Sequence, residues 1–82
     1  MTITESQNGR LGVLTNPGAT CTAVARLPDN VTILQLGTRV APATGTFAYD
    51  YPPTQQTGVG VHRVECSLNG QSQAAEARFT AN

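Results

Sequence analysis

Two cysteines and one histidine are the side chains in this 82-residue sequence suited to soft-metal binding, redox chemistry or base catalysis at neutral pH. Cys21 and Cys66 admit three readings. A metal site needs about four ligands, and beside the cysteines only His62 is available. A redox dithiol shows two cysteines three positions apart at a helix start, a spacing absent here. A structural disulfide needs only two inward-facing cysteines, and two unpaired buried thiols are the alternative to it. The bridge is the expected reading, closing a long loop and implying an oxidising compartment. No metal and no cofactor is expected.

His62 has no serine, cysteine or carboxylate beside it in sequence to make a nucleophile and base pair, so it reads as a strand-end histidine at the rim of the domain. Asp50, between Tyr49 and Tyr51, reads as a surface carboxylate within reach of Arg63. The chain has only one other aspartate, Asp29, too few grouped carboxylates for calcium. Arg63 and Glu65 lie two apart on an outward face, suited to a cross-strand ion pair. Asn30, Val31 and Thr32 form an N-x-T sequon, meaningful only in a eukaryotic secretory pathway. Tyr51, Pro52, Pro53 and Gln55 make the one stretch suited to an aromatic-proline ligand patch. No catalytic residue is nominated, and an enzyme is not expected.

The elements that carry these residues are short. Thirteen Gly and Pro residues divide the chain, leaving no clean twelve-residue helical window before the last segment. Met1 to Glu5 and Arg10 to Thr15 are strands about a Ser6–Gly9 turn, and Asn16 to Ala19 (NPGA) suits a type II turn. In Thr20–Leu27 the residues Cys21, Ala23, Ala25 and Leu27 share one face. Val31–Leu36, apolar on both faces, ends at Gly37 and reads as an edge in need of cover, with Thr38–Ala41 extending or following it. Thr46–Tyr51 sets Phe47, Tyr49 and Tyr51 on one side. Pro52–Gly58 is the crossover between sheets. Val59–Leu68 turns His62, Val64, Cys66 and Leu68 inward, and Asn69-Gly70 marks a hairpin into a last strand with Ala75, Ala77 and Phe79 on one face. A helix over Gln73–Arg78 is the rival reading there.

The chain carries five basic and five acidic residues and no like-charged run, so neither a nucleic acid nor an anionic membrane is an expected partner. No stretch is long and apolar enough for a membrane span, and no signal-peptide pattern is present.

Inward cysteines on an early and a late strand, with turns about every ten residues, form the immunoglobulin-type pattern. The ordered segments NPGATCT (16–22), the aromatic strand Phe47–Tyr51, TGVGVHRVECS (57–67) and NGQSQAAEARFT (69–80) resemble a family of bacterial immunoglobulin-like domains found in secreted or surface-attached proteins. In place of that family's usual tryptophan the aromatic strand has Phe47, Tyr49 and Tyr51. Val64 stands where an antibody-type tyrosine corner would be.

The expectation is therefore a single domain over residues 1–82, an all-β immunoglobulin-like sandwich of about seven strands with one inter-sheet disulfide. The resemblance implies a structural, spacer or presentation module, extracellular or at the cell surface, whose partners are neighbouring domains of a parent protein. A carbohydrate- or protein-binding module and a phage or virion decoration domain are the competing expectations.

Overall fold

The computed structural model describes all residues, Met1 to Asn82. Seven strands and no helix make up the fold: β1 (Thr2–Gln7), β2 (Arg10–Leu14), β3 (Thr20–Arg26), β4 (Ile33–Val40), β5 (Thr46–Asp50), β6 (Gly58–Leu68) and β7 (Gln71–Ala81). They form two antiparallel sheets, one in the order β1-β2-β5 and the other β4-β3-β6-β7. The molecule is a two-sheet β-sandwich, and the segment after β5 does cross from one sheet to the other.

Turn chemistry explains the connections. Asn69 and Gly70 both take positive φ, 53° and 80°, the requirement of a type I′ turn, so Leu68 pairs with Gln71 and register is set for all of β7. Ala19 N donates to Asn16 O with Gly18 at φ 87°, closing the type II turn that carries the chain from the first sheet to the second. Gly37 does not end its strand. It sits at φ 106° inside β4, where the register with β3 shifts between Ala23 and Val24, so a bulge carries the strand on to Val40.

The core follows the alternation. Leu11, Val13, Cys21, Ala23, Phe47, Tyr49, Val64 and Cys66 form its larger part, and Ala25, Leu27 and Phe79 a smaller one at the far pole. Tyr49 joins the layers directly: its hydroxyl, 3% of the residue being exposed, donates to the Cys21 carbonyl at 2.8 Å, from β5 in one sheet to β3 in the other.

The cysteines are bonded, but the bridge corrects the expectation of an inter-sheet link. Cys21 and Cys66 stand directly opposite each other on β3 and β6, neighbours within the four-stranded sheet, with Cα atoms 4.0 Å apart. Both do face the space between the sheets. They lie on the third and sixth strands, whereas the antibody-type bridge joins the second and sixth across the sandwich. The sheets are therefore held together by packing and by hydrogen bonds such as that of Tyr49, and the covalent link reinforces one of them.

Gly60 on β6 lies opposite Phe79 on β7. A methyl group there would overlap the Phe79 ring and approach the Arg26 carbonyl oxygen. Gly60→Ala is expected to destabilise the fold by about 2 kcal/mol through overpacking. A thermal melt showing no loss would mean that the ring does not lie over β6.

Candidate functional site

The one place where polar side chains from distant parts of the chain converge in the interior is around His62. Sequence alone puts this histidine at the rim, and the structure corrects that: His62 is 0% exposed. Alternation through β6 puts it on the same inward face as Val64 and Cys66, and the ring stacks on Phe79 with centroids 4.4 Å apart. Ser6, on β1, lies 2.9 Å from Nδ1, and the Tyr51 hydroxyl, just beyond β5, lies 2.6 Å from Nε2. A neutral imidazole has one donor and one acceptor nitrogen, so one hydroxyl donates to the ring and the other accepts from it. Burial pushes the His62 pKa down to about 4, and burial also raises that of Tyr51. The ring is neutral at physiological pH.

Chemically this is a serine, an imidazole and a phenol in line. It differs from a hydrolytic triad in the group that matters. There a carboxylate orients the imidazole and stabilises its cation, whereas here a phenol takes that position. A base with a pKa near 4 gives Ser6 little activation at neutral pH. Across the sandwich, the histidine of one sheet ties the first strand and the end of the fifth strand of the other. Beside it, Ser6, Gln7, Asn8, Arg78, Phe79 and Thr80 line an open, shallow cleft between β1 and the edge of β7.

The ligand patch Tyr51, Pro52, Pro53 and Gln55 is divided by the fold. Tyr51 is half-buried with its hydroxyl on His62, while Pro52, Pro53 and Gln55 are exposed on the crossover loop. Asn8 holds that loop as a strand neighbour would: its Nδ2 donates to Thr54 O at 3.1 Å, and its Oδ1 accepts from Thr54 N at 2.9 Å. Gln56 holds the other end, accepting from Asp29 N at 3.0 Å and donating to the Asp29 carboxylate at 3.2 Å.

Asp29 also accepts from the backbone N–H groups of Thr32 and Val31 and from the Thr32 hydroxyl, and these bonds lower its pKa to about 2. Thr32 of the N-x-T sequon is thus engaged in its own turn, and Asn30 is exposed at φ 62°.

Asp50 does not meet Arg63. Both its carboxylate oxygens accept from Arg10 Nη1, at 2.7 and 3.0 Å, because Arg10 and Asp50 are register partners across β2 and β5, and Arg10 Nε donates to Glu5. Arg63 pairs with Glu76 across β6 and β7 at 3.4 Å, with Glu65 at 3.9 Å. No three His, Cys, Asp or Glu side chains gather in one place.

The Ser6–His62–Tyr51 set escapes a sequence reading because Ser6 and Tyr51 stand 56 and 11 residues from the histidine. One signal was present. An inward histidine between core positions needs two polar partners, and each sheet offers few.

The fold and this interior define a disulfide-bonded, two-sheet β-sandwich with a buried polar tie at one pole. No family model, no curated protein and no solved structure matches the chain.

Proposed function

We propose that this domain is a non-catalytic spacer or presentation module of a bacterial extracellular or cell-surface protein, of the immunoglobulin-like kind its motifs resemble. The observation that carries this is the path of the chain through an elongated body of 38 × 20 × 17 Å. The Met1 amino group donates to Gln73 near the start of β7, and Ser6 lies beside Phe79 near its end, so β1 and β7 run the same way. The chain enters at one pole and leaves at the other, which suits end-to-end stringing between neighbouring domains. The disulfide supports an oxidising location. No helix is long and apolar enough to cross a membrane.

The rigid mounting of the crossover loop favours a second reading, a carbohydrate- or protein-binding module presenting Pro52, Pro53 and Gln55. A held loop binds with less ordering cost than a free one. A glycan array and a panel of host surface proteins, followed by NMR shift mapping, separate the two. The spacer reading expects no saturable ligand. A specific ligand whose shifts cluster on Pro52, Pro53 and Gln55 would replace it with the binding reading.

A further inference from the structure

The sandwich has four strand edges, and three of them carry a device that discourages pairing with another chain. In β1 the register with β2 shifts between Ile3 and Glu5. In β4 there is the bulge around Gly37. β5 is five residues long, and Arg39 reaches across from β4 to bond the Ala48 carbonyl oxygen on its open side. β7 has none. It runs eleven residues, pairs with β6 without a shift along its whole length, and contains no proline, no lysine and no inward-facing charge.

Its free backbone groups can be assigned. Cys21 and Cys66 form a closely spaced pair, the kind whose N–H and C=O groups point away from each other. Cys66 therefore bonds toward β7, and with unbroken register so do Val64, His62 and Gly60, through Gln73, Ala75, Ala77 and Phe79. The groups of Ser72, Ala74, Glu76, Arg78 and Thr80 face outward.

We propose that β7 pairs antiparallel with β7 of a second copy about a two-fold axis at Ala77, joining two four-stranded sheets into one of eight. That axis sets Glu76 of each copy against Arg78 of the other. Both residues belong to the outward-bonding set, so each such pair exchanges two backbone hydrogen bonds, and the same contact occurs twice by symmetry. The charges match as well. Arg78 has no acidic partner within its own chain, and Glu76, 57% exposed at its side chain, bonds only Arg63, leaving a carboxylate oxygen for the incoming guanidinium. The self-complementary sequence Glu-Ala-Arg is what selects a second copy over another extended segment as the occupant. This pairing goes beyond the spacer reading and does not depend on it.

The experiment is sedimentation equilibrium on the intact protein, on Glu76→Arg and Arg78→Glu, and on an equimolar mixture of the two variants, each first shown to melt cooperatively. The wild type is expected to reach twice the chain mass at millimolar concentration. Each variant alone sets like charges opposite each other and is expected to remain monomeric. In the mixture the two introduced side chains, opposite in charge, face each other across the axis, and the native Arg78 of one variant faces the native Glu76 of the other, so the dimer returns. A wild type that stays monomeric at millimolar concentration overturns the proposal, as do variants that dimerise alone or a mixture that does not.

Discussion

Reduction of the Cys21–Cys66 bridge is expected to lower the melting temperature by about 20 °C, a figure set by loop closure and domain size. The bond closes a loop of sequence separation 45, for which loop-closure entropy in the unfolded chain amounts to about 4 kcal/mol. In a domain of this size each kcal/mol moves the midpoint by about 4–8 °C. Because the bridge links strands already adjacent in one sheet, its loss leaves the sulfur atoms packed where they are, and the effect is carried by the unfolded state. Reduced wild-type protein is the better sample than a Cys→Ala pair, since the substitution adds a cavity at two buried positions. Thermal melts by circular dichroism with and without a phosphine reductant make the measurement. Superimposable curves would show that the bridge does not form in solution.

The second large effect is acid sensitivity centred on His62. Its folded pKa of about 4 lies below the ordinary value of 6.5, so between those values the unfolded chain binds a proton that the folded chain refuses. Stability rises with pH through this window and falls as the medium is acidified from 6.5 toward 4. At about 1.4 kcal/mol per pKa unit the whole loss is about 3 kcal/mol. Below pH 4 both states carry the proton and this contribution is level. Asp29 acts in a separate window. Its depressed pKa gives stability that is complete above 3.8 and lost as pH falls toward about 2. Urea midpoints for wild type and His62→Gln from about pH 7 to pH 4, the span that brackets both states' titration, test the assignment. The glutamine variant keeps a donor and an acceptor but has nothing to protonate, so its midpoint should hardly move while the wild type declines. Parallel declines would mean that His62 is not the group responsible.

Parts of this structure could be read from residue order because they depend on local geometry. Alternation identified the inward faces of β3, β5 and β6, since a period of two is a property of any strand with one buried side. Asn69-Gly70 and Pro17-Gly18 mark turns because few residues besides Gly and Asn accept positive φ and proline presets the φ of the residue before Gly18. Which strands become neighbours is a different matter. The turns at Asn16–Ala19 and Pro42–Gly45 carry the chain between sheets, and nothing in their sequence says so. With β6 placed beside β3, the two cysteine strands share a sheet. An inter-sheet disulfide was the wrong inference from two correctly oriented cysteines. The same limit applies to Arg10 with Asp50 and to His62 with Ser6. These partners stand 40 and 56 residues apart; strand register brings the first pair together, and the packing of one sheet on the other brings the second. Composition alone points to Tyr51, Pro52, Pro53 and Gln55 as one patch, whereas the structure turns the Tyr51 hydroxyl to the interior and leaves the prolines and Gln55 outside.

An oxidised cysteine pair in an extracellular setting is the premise of the proposed role, and thiol trapping tests it most directly. Source cells are quenched in acid, the protein is alkylated under denaturing conditions, and its intact mass is measured before and after reduction. The predicted result is no alkyl group without reductant and two after it. Two alkyl groups before reduction would place the chain in a reducing compartment and contradict the proposed role.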